Sequence, residues 1–538
     1  MGDSGHGGLS HPMPHPTSNR TKSQMNFIGR QTTAGSCRWG AVAALVLSVG
    51  VAGCDGLLEV NLPAAVTSDA VNDASVAPIL VNTVMAQFEC GYSTFAMDAA
   101  GQEDNFQMVT GVAGNYSQYT ATPGGGQCDG GNTYSQSWLD PFLIARAQGA
   151  DTYNKMVNDW GTSQQLVARV AFYEAAILDI FGEHFCEFAQ DAGPLMTPVN
   201  TLDSAEAWVN RVLAITGGAT GDFAVTTTAG TQTTSLQTAA YGLRARIRWA
   251  RRGAGDLALA AADAALVPDN HVTWVLREEG EGRRNMISTS QSGGGGVQAA
   301  GFLQGPVKLK TATNTYGITL LGSHPNGTPW PNPLPFTGYI DLGIETATGR
   351  AVYDTSYPVL ETDAGAEDDS RVAHAVRNTA GGPLETPSRY PNQADDIPLI
   401  SWKEMRLIRA EAAGPSAAGV DHVNVLRTAA GLPLIQGAYR TLVEDDAARY
   451  RDMLIEETRR ALFEEARFWS RKIIHNDLLW FPRAEGDLIN AGASYVFGGG
   501  VRQLFDGTEY QVNPNFVAGG GQALRGTGCA PFEAPVFN

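Results

Sequence analysis

The sequence predicts a mostly α protein in which helical hairpins pack against an irregular, loop-rich half. Apolar residues recur at helical spacing through much of residues 78–215, and helix–turn–helix patterns stand at 236–266 and 400–430. Gly, Pro, Asn and Thr gather in two long stretches, about 100–140 and 285–395, that match neither a helix nor a strand period.

The chain opens on an export signal. Ala41 to Cys54 (AVAALVLSVGVAGC) is a short apolar run preceded by Arg30 and Arg38 and ending in Val51-Ala52-Gly53-Cys54, a pattern like the bacterial lipobox. Residues 1–53 are read as a signal peptide, with Met25 as an alternative start, and Cys54 as the lipid-bearing first residue of the mature chain. Spanning a bilayer takes roughly 20 apolar residues, more than this run supplies. Residues 54–77 suit a tether, leaving 78–538 as the folded body with its two insertions.

With 43% apolar residues the mature chain can build a large core, while 62 Gly and 27 Pro call for long loops around it. A net charge of −18, without a basic stretch outside the signal, excludes nucleic acid as a partner, because phosphate binding needs clustered Lys and Arg. Cys90, Cys128, Cys186 and Cys529 would meet oxidising conditions after export and allow two disulfides; Cys90–Cys128 with Cys186–Cys529 is slightly preferred among three pairings.

In chain order, helices are expected at 78–88, at 141–159 after Asp140-Pro141, and at 163–181, stopped by Gly182. Another follows at 203–215, capped by Asp203 or Ser204, with Glu206 near its positive end. Within 236–266 two helices meet at Arg252-Gly253-Ala254-Gly255. Ala239, Gly242 and Ala245 are expected to face Ala258, Ala261 and Ala265, the close packing of tetratricopeptide-like hairpins. In the second hairpin Met405, Ile408 and Ala412 precede a Gly414-Pro415 break, and Val423, Leu426 and Ala430 follow. One long helix is expected from Val443 to Ile474, with Glu464 and Arg467 spaced as an i, i+3 ion pair and Phe463, Phe468 and Trp469 in the core.

Catalytic signatures are absent from the sequence: it has no GxSxG, GxxxxGK or HExxH, and no Gly-rich turn between a strand and a helix. The adjacent acids Glu103-Asp104 and Asp368-Asp369 say nothing of the separation a glycosidase needs. Glu183-His184-Phe185-Cys186-Glu187 lacks zinc-ligand spacing, and Asp363 to Asp369 reads as a solvated acidic loop with calcium as the alternative. No enzyme activity, cofactor or metal site is assigned.

The C-terminal third carries a resemblance. Asn424, Arg427, Gly431 and Pro433, then Glu464, Arg467 and Lys472 within Ile455 to Lys472, match motifs of the SusD/RagB family of outer-membrane nutrient-binding lipoproteins. Asp396 to Ala412 and the helix end Ile180-Phe181-Gly182-Glu183 are similar to further family segments, so the likeness spans the mature chain. Glu465 stands where the family usually has Gly, Ser470 where it has Asp, and Thr428 where it often has Arg, which bears on a local turn.

The resemblance implies a SusD-like fold, a lipid anchor at the cell surface, and capture of glycans or other oligomeric nutrients for a SusC-like TonB-dependent transporter. Aromatic rings stack on sugar C–H faces while polar groups take the hydroxyls. Candidate ligand-binding residues are Asn115, Tyr116, Gln118 and Tyr119 in the first insertion and Tyr316, Trp330 and Tyr339 in the second. Two alternative roles remain, a tetratricopeptide-type protein-interaction adaptor at the cell envelope and a surface glycoside hydrolase.

Overall fold

The first helical layer consists of α1 (Ala77–Gln102), α2 (Leu139–Lys155) and α3 (Gln164–His184). In this computed structural model the described residues are 72–103, 106–108, 138–279, 283–292, 297–299, 342–345, 350–353, 370–371, 374–379, 382–432, 434–475, 502 and 512–519. The chain divides into a unit Met1–Val66, outside the described residues, and a unit Thr67–Asn538. No helix among the described residues is long and apolar enough to cross a membrane.

α1 runs well past residue 88. Its second half mixes Gly91, Ser93 and Thr94 with apolar residues and is buried on most sides, so a single apolar stripe does not mark it. A Cβ on Gly91 would come within 2.9 Å of the Phe142 ring, so glycine lets α1 and α2 cross closely. Phe88, Phe95, Phe142, Phe181 and Trp138 form one aromatic core, with Phe95 edge-on to Trp138 at 5.1 Å. α2 closes in a π turn, Met156–Trp160, ended by Gly161 at φ 56°.

Gly182 does not stop α3, which continues to His184 and ends where Phe185 turns extended. Its role is packing: a Cβ there would lie 2.6 Å from Leu202 Cγ of α4 (Pro198–Thr216). α4 also begins earlier than expected. Thr197, rather than Asp203 or Ser204, is its cap, in a capping box with Asn200 and with proline at the start. Asp203 and Glu206 instead pair with Arg251, and Glu206 with Arg248 as well, on the next helix.

The first hairpin is α5 (Leu236–Arg251) and α6 (Asp256–Ala264), turned by Arg252 and Gly255 in left-handed conformation. The faces differ from expectation. Ala260 and Ala264 are buried while Ala258 and Ala265 are exposed, a one-step helical rotation, and Gly242 makes room for Ile400 rather than for α6. The second hairpin is α8 (Trp402–Ala413) and α9 (Ala417–Ala429), capped by Ser401 and Ser416, with Met405, Ile408, Val423 and Leu426 inside. A short helix between the hairpins, α7 (Met286–Ser292), lies against α1.

The long helix expected from Val443 to Ile474 is three pieces: α10 (Gly437–Asp445), α11 (Ala447–Ala461) and α12 (Phe468–Ile474). Asp446 is extended, and the turn 462–467 holds Glu464 and Ala466 at φ 55° and 58°. Left-handed non-glycine residues break the 3.6-residue period without leaving a Gly or Pro in the sequence. Phe463, Phe468 and Trp469 are buried as expected. A last short helix, α13 (Pro514–Ala518), packs by the short strand Leu195–Met196.

Strands among the described residues form six antiparallel pairs. They are β1 (Phe106–Met108) with β7 (Val297–Ala299), β2 (Phe188–Ala189) with β3 (Leu195–Met196), and β4 (Ala224–Thr227) with β5 (Gly230–Ser235). The others are β6 (Val272–Val275) with β12 (Ile397–Ser401), β8 (Leu342–Glu345) with β9 (Arg350–Tyr353), and β10 (His374–Thr379) with β11 (Gly382–Pro387).

Candidate functional site

The two insertions meet at a strand pair. β1 leads into the first and β7 lies early in the second, and they pair from Phe106 opposite Ala299 to Met108 opposite Val297. Strand β11 of the β10–β11 hairpin lies against β7, so segments almost 200 residues apart in sequence share one small β patch beside α1 and α7. Asn115, Tyr116, Gln118, Tyr119, Tyr316, Trp330, Tyr339, Cys54 and the acidic loop 363–369 fall outside the described residues. The structure thus joins the roots of the two insertions and is silent on those side chains. Cys90 and Cys186 are each engaged in a disulfide, and Cys128 and Cys529 lie outside the described residues.

The hairpin's two ends are fastened to the signature segment. Before β10, Arg371 donates to both carboxylate oxygens of Glu457 on α11, which also accepts from Arg427 at 2.8 Å. Beyond β11, Arg389 donates to Glu465 and to the Phe463 carbonyl, and the Tyr390 hydroxyl to the Glu464 carbonyl at 3.0 Å. Lys403 joins Glu465 from the other side. Glu465, at the position where the resemblance leads one to expect glycine, is therefore buried and used.

Behind this turn lies a charged core. Arg467 donates through both Nη groups to Glu183, at 2.7 and 2.8 Å, and through Nε to Glu404 at 2.8 Å. Glu404 also receives Arg246. The i, i+3 pairing of Glu464 with Arg467 expected on one helix is not formed, because the turn points Arg467 at α3 and α8 instead. Burial works to raise Glu404, but Arg246 and Arg467 outweigh it and hold the carboxyl down at about 2. Glu183 is likewise lowered, with Arg467 overcoming burial, while Asp179, 3.8 Å from Arg246, is raised by burial and by Glu183.

His184 Nδ1 lies 2.9 Å from the Ile180 carbonyl, and burial lowers its pKa to about 4, so the ring is neutral with its proton on Nδ1. Ser470 Oγ is 3.1 Å from His184 Nε2 and 2.9 Å from Glu183. Ser470 donates its one proton to the Glu183 carboxylate, the stronger acceptor, with the His184 nitrogen beside it. Glu103, weighed at first as a loop acid, accepts from the backbone N–H of Phe468 at 2.7 Å and Trp469 at 3.2 Å, at the start of α12.

Glu183 and Glu404 are engaged by guanidinium groups and Glu103 by backbone amides, while Asp179 has Arg246 only at 3.8 Å. Among the described residues no group of His, Cys, Asp and Glu is arranged to hold a metal ion. Sequence reasoning missed Glu404, Arg246 and Glu457 as members of the network; the Gly182-Glu183 helix end and Arg467 were the visible signals.

No family model and no curated protein matches the sequence. In fold, a SusD superfamily protein from Parabacteroides distasonis superimposes over 84% of this chain and 99% of its own with TM-score 0.52, at 11% identity. The chain has the SusD-like fold. A SusD-like protein of Bacteroidetes AC2a agrees, at TM-score 0.50 and 11% identity over 82% of this chain and 96% of its own. A SusD/RagB family protein from Bacteroides thetaiotaomicron is similar over 85% and 98%, at 11% identity and TM-score 0.48. In this SusD-like chain the helical hairpins form the scaffold, and the β1–β7 junction is where the insertions leave it.

Proposed function

We propose that this protein is a surface-exposed lipoprotein of the outer membrane that captures glycans or other oligomeric nutrients and delivers them to a SusC-like TonB-dependent transporter. The observation that carries the reading is a SusD-like scaffold on which both long insertions spring from one strand pair, behind a lipobox-like Cys54. Loops rooted together can present one shared surface, and function is concentrated on such loops. Tyr116, Tyr119 and Trp330 are proposed to line that surface with Asn115, Gln118, Tyr316 and Tyr339. Binding without bond breakage fits a sequence without catalytic signatures and a set of buried carboxylates tied to arginine.

The handover to a transporter is tested by affinity purification of the tagged, full-length chain from native outer membranes. A TonB-dependent barrel is expected in stoichiometric amount, across a large interface. Recovery of soluble proteins alone would favour the adaptor role.

A further inference from the structure

The β10–β11 hairpin is held from both ends by one short stretch of the chain. Arg371 reaches Glu457 on α11, which is fully buried, and Arg389 and Tyr390 reach the turn 463–465. The hairpin's own ladder, His374 opposite Pro387 through Thr379 opposite Gly382, joins these feet, and β11 rests on β7. A two-stranded hairpin is marginal alone and takes its position from what it is fastened to. Arg389 and Tyr390 bind a turn whose conformation is set by left-handed residues and whose far side is locked by Arg467, while Arg371 binds α11 just before that turn.

We propose that Arg371 and Arg389 are positioning residues: they clamp the hairpin to the signature turn and thereby fix the ligand surface at the β1–β7 junction. The ligand half of this inference rests on the glycan-capture reading; the clamp does not. It gives Glu457 and Glu465, which lie within the segment that carries the resemblance but are not among its matching residues, a part in function although neither is required to touch ligand.

The test compares wild type with the double variant Arg371→Ala, Arg389→Ala and with Arg371→Lys, Arg389→Lys by amide hydrogen exchange. Affinity is measured in parallel for the oligosaccharide giving the strongest wild-type signal on a glycan array. In the alanine variant, exchange in 374–387 should rise about tenfold while α3 and α8 stay unchanged, since local opening is independent of the scaffold. Affinity should fall about tenfold, and the lysine variant, which keeps both charges but not the forked bonds, should recover only part of both effects. Equal acceleration in the helices, unchanged exchange in the hairpin, or a freed hairpin with unaltered affinity would each overturn the proposal. If no glycan binds wild type, the capture reading fails, and hydrogen exchange alone decides the clamp.

Discussion

Arg467 is the hub of the buried charge shared by α3, α5 and α8. It neutralises Glu183 and shares Glu404 with Arg246, and all four side chains are at most 4% exposed. Removing one member of such a network strands charge in the interior, so Arg467→Ala should lose about 3–5 kcal/mol in urea unfolding. A loss below about 1 kcal/mol, the worth of an exposed pair, would contradict this geometry. His184 adds a pH dependence. Its folded pKa, about 4, lies below the ordinary 6.5, so the unfolded chain takes up a proton that the fold refuses. Stability from this group is complete above pH 6.5 and is lost as pH falls towards 4, by on the order of 3 kcal/mol. Asp179, raised by burial, acts in the opposite sense, so the test is the difference between wild type and His184→Gln. Relative to the variant, wild type should weaken between pH 7 and 4.5, and parallel curves would refute the assignment.

Among the elements, the helices that sequence located well were those with one apolar stripe, α5, α8 and α9, together with α3, whose apolar residues keep helical spacing although it is buried on nearly all sides. Those it misjudged obey rules that periodicity does not carry. α1 is longer because burial on most sides erases the stripe, and α4 starts at a Thr197-Pro198-Asn200 signature that was present but passed over for Asp203. The break between α11 and α12 rests on Glu464 and Ala466 in left-handed conformation, which tertiary bonds to Arg389, Tyr390 and Arg467 enforce. Gly182 was noticed for the wrong reason, and its true role can be measured. Gly182→Ala would be favourable for an isolated helix by about 1 kcal/mol, yet the added methyl meets Leu202, so a net loss of about 1–3 kcal/mol is expected in thermal or urea unfolding. A stabilised variant would contradict this packing role.

For the whole molecule, the sequence motifs pointed to the SusD-like fold, and the structure adds how it joins its halves. The helical hairpins are built around the Arg467 network, while the insertions converge at β1–β7 and are fastened through β10–β11 to the same turn. The ligand-binding residues were legible only as aromatic and polar loop composition, because loop contacts depend on long-range placement that no local period encodes. The central claim is that the protein captures an oligosaccharide and does not cleave it. Its most direct test is calorimetry of the array-selected glycan with wild type and Trp330→Ala, followed by mass spectrometry of the recovered sugar. Saturable binding is expected, with a loss on the order of 1–3 kcal/mol in the variant, its melting temperature unchanged, and the ligand intact. Shortened products, or no binding to any glycan offered, would contradict it.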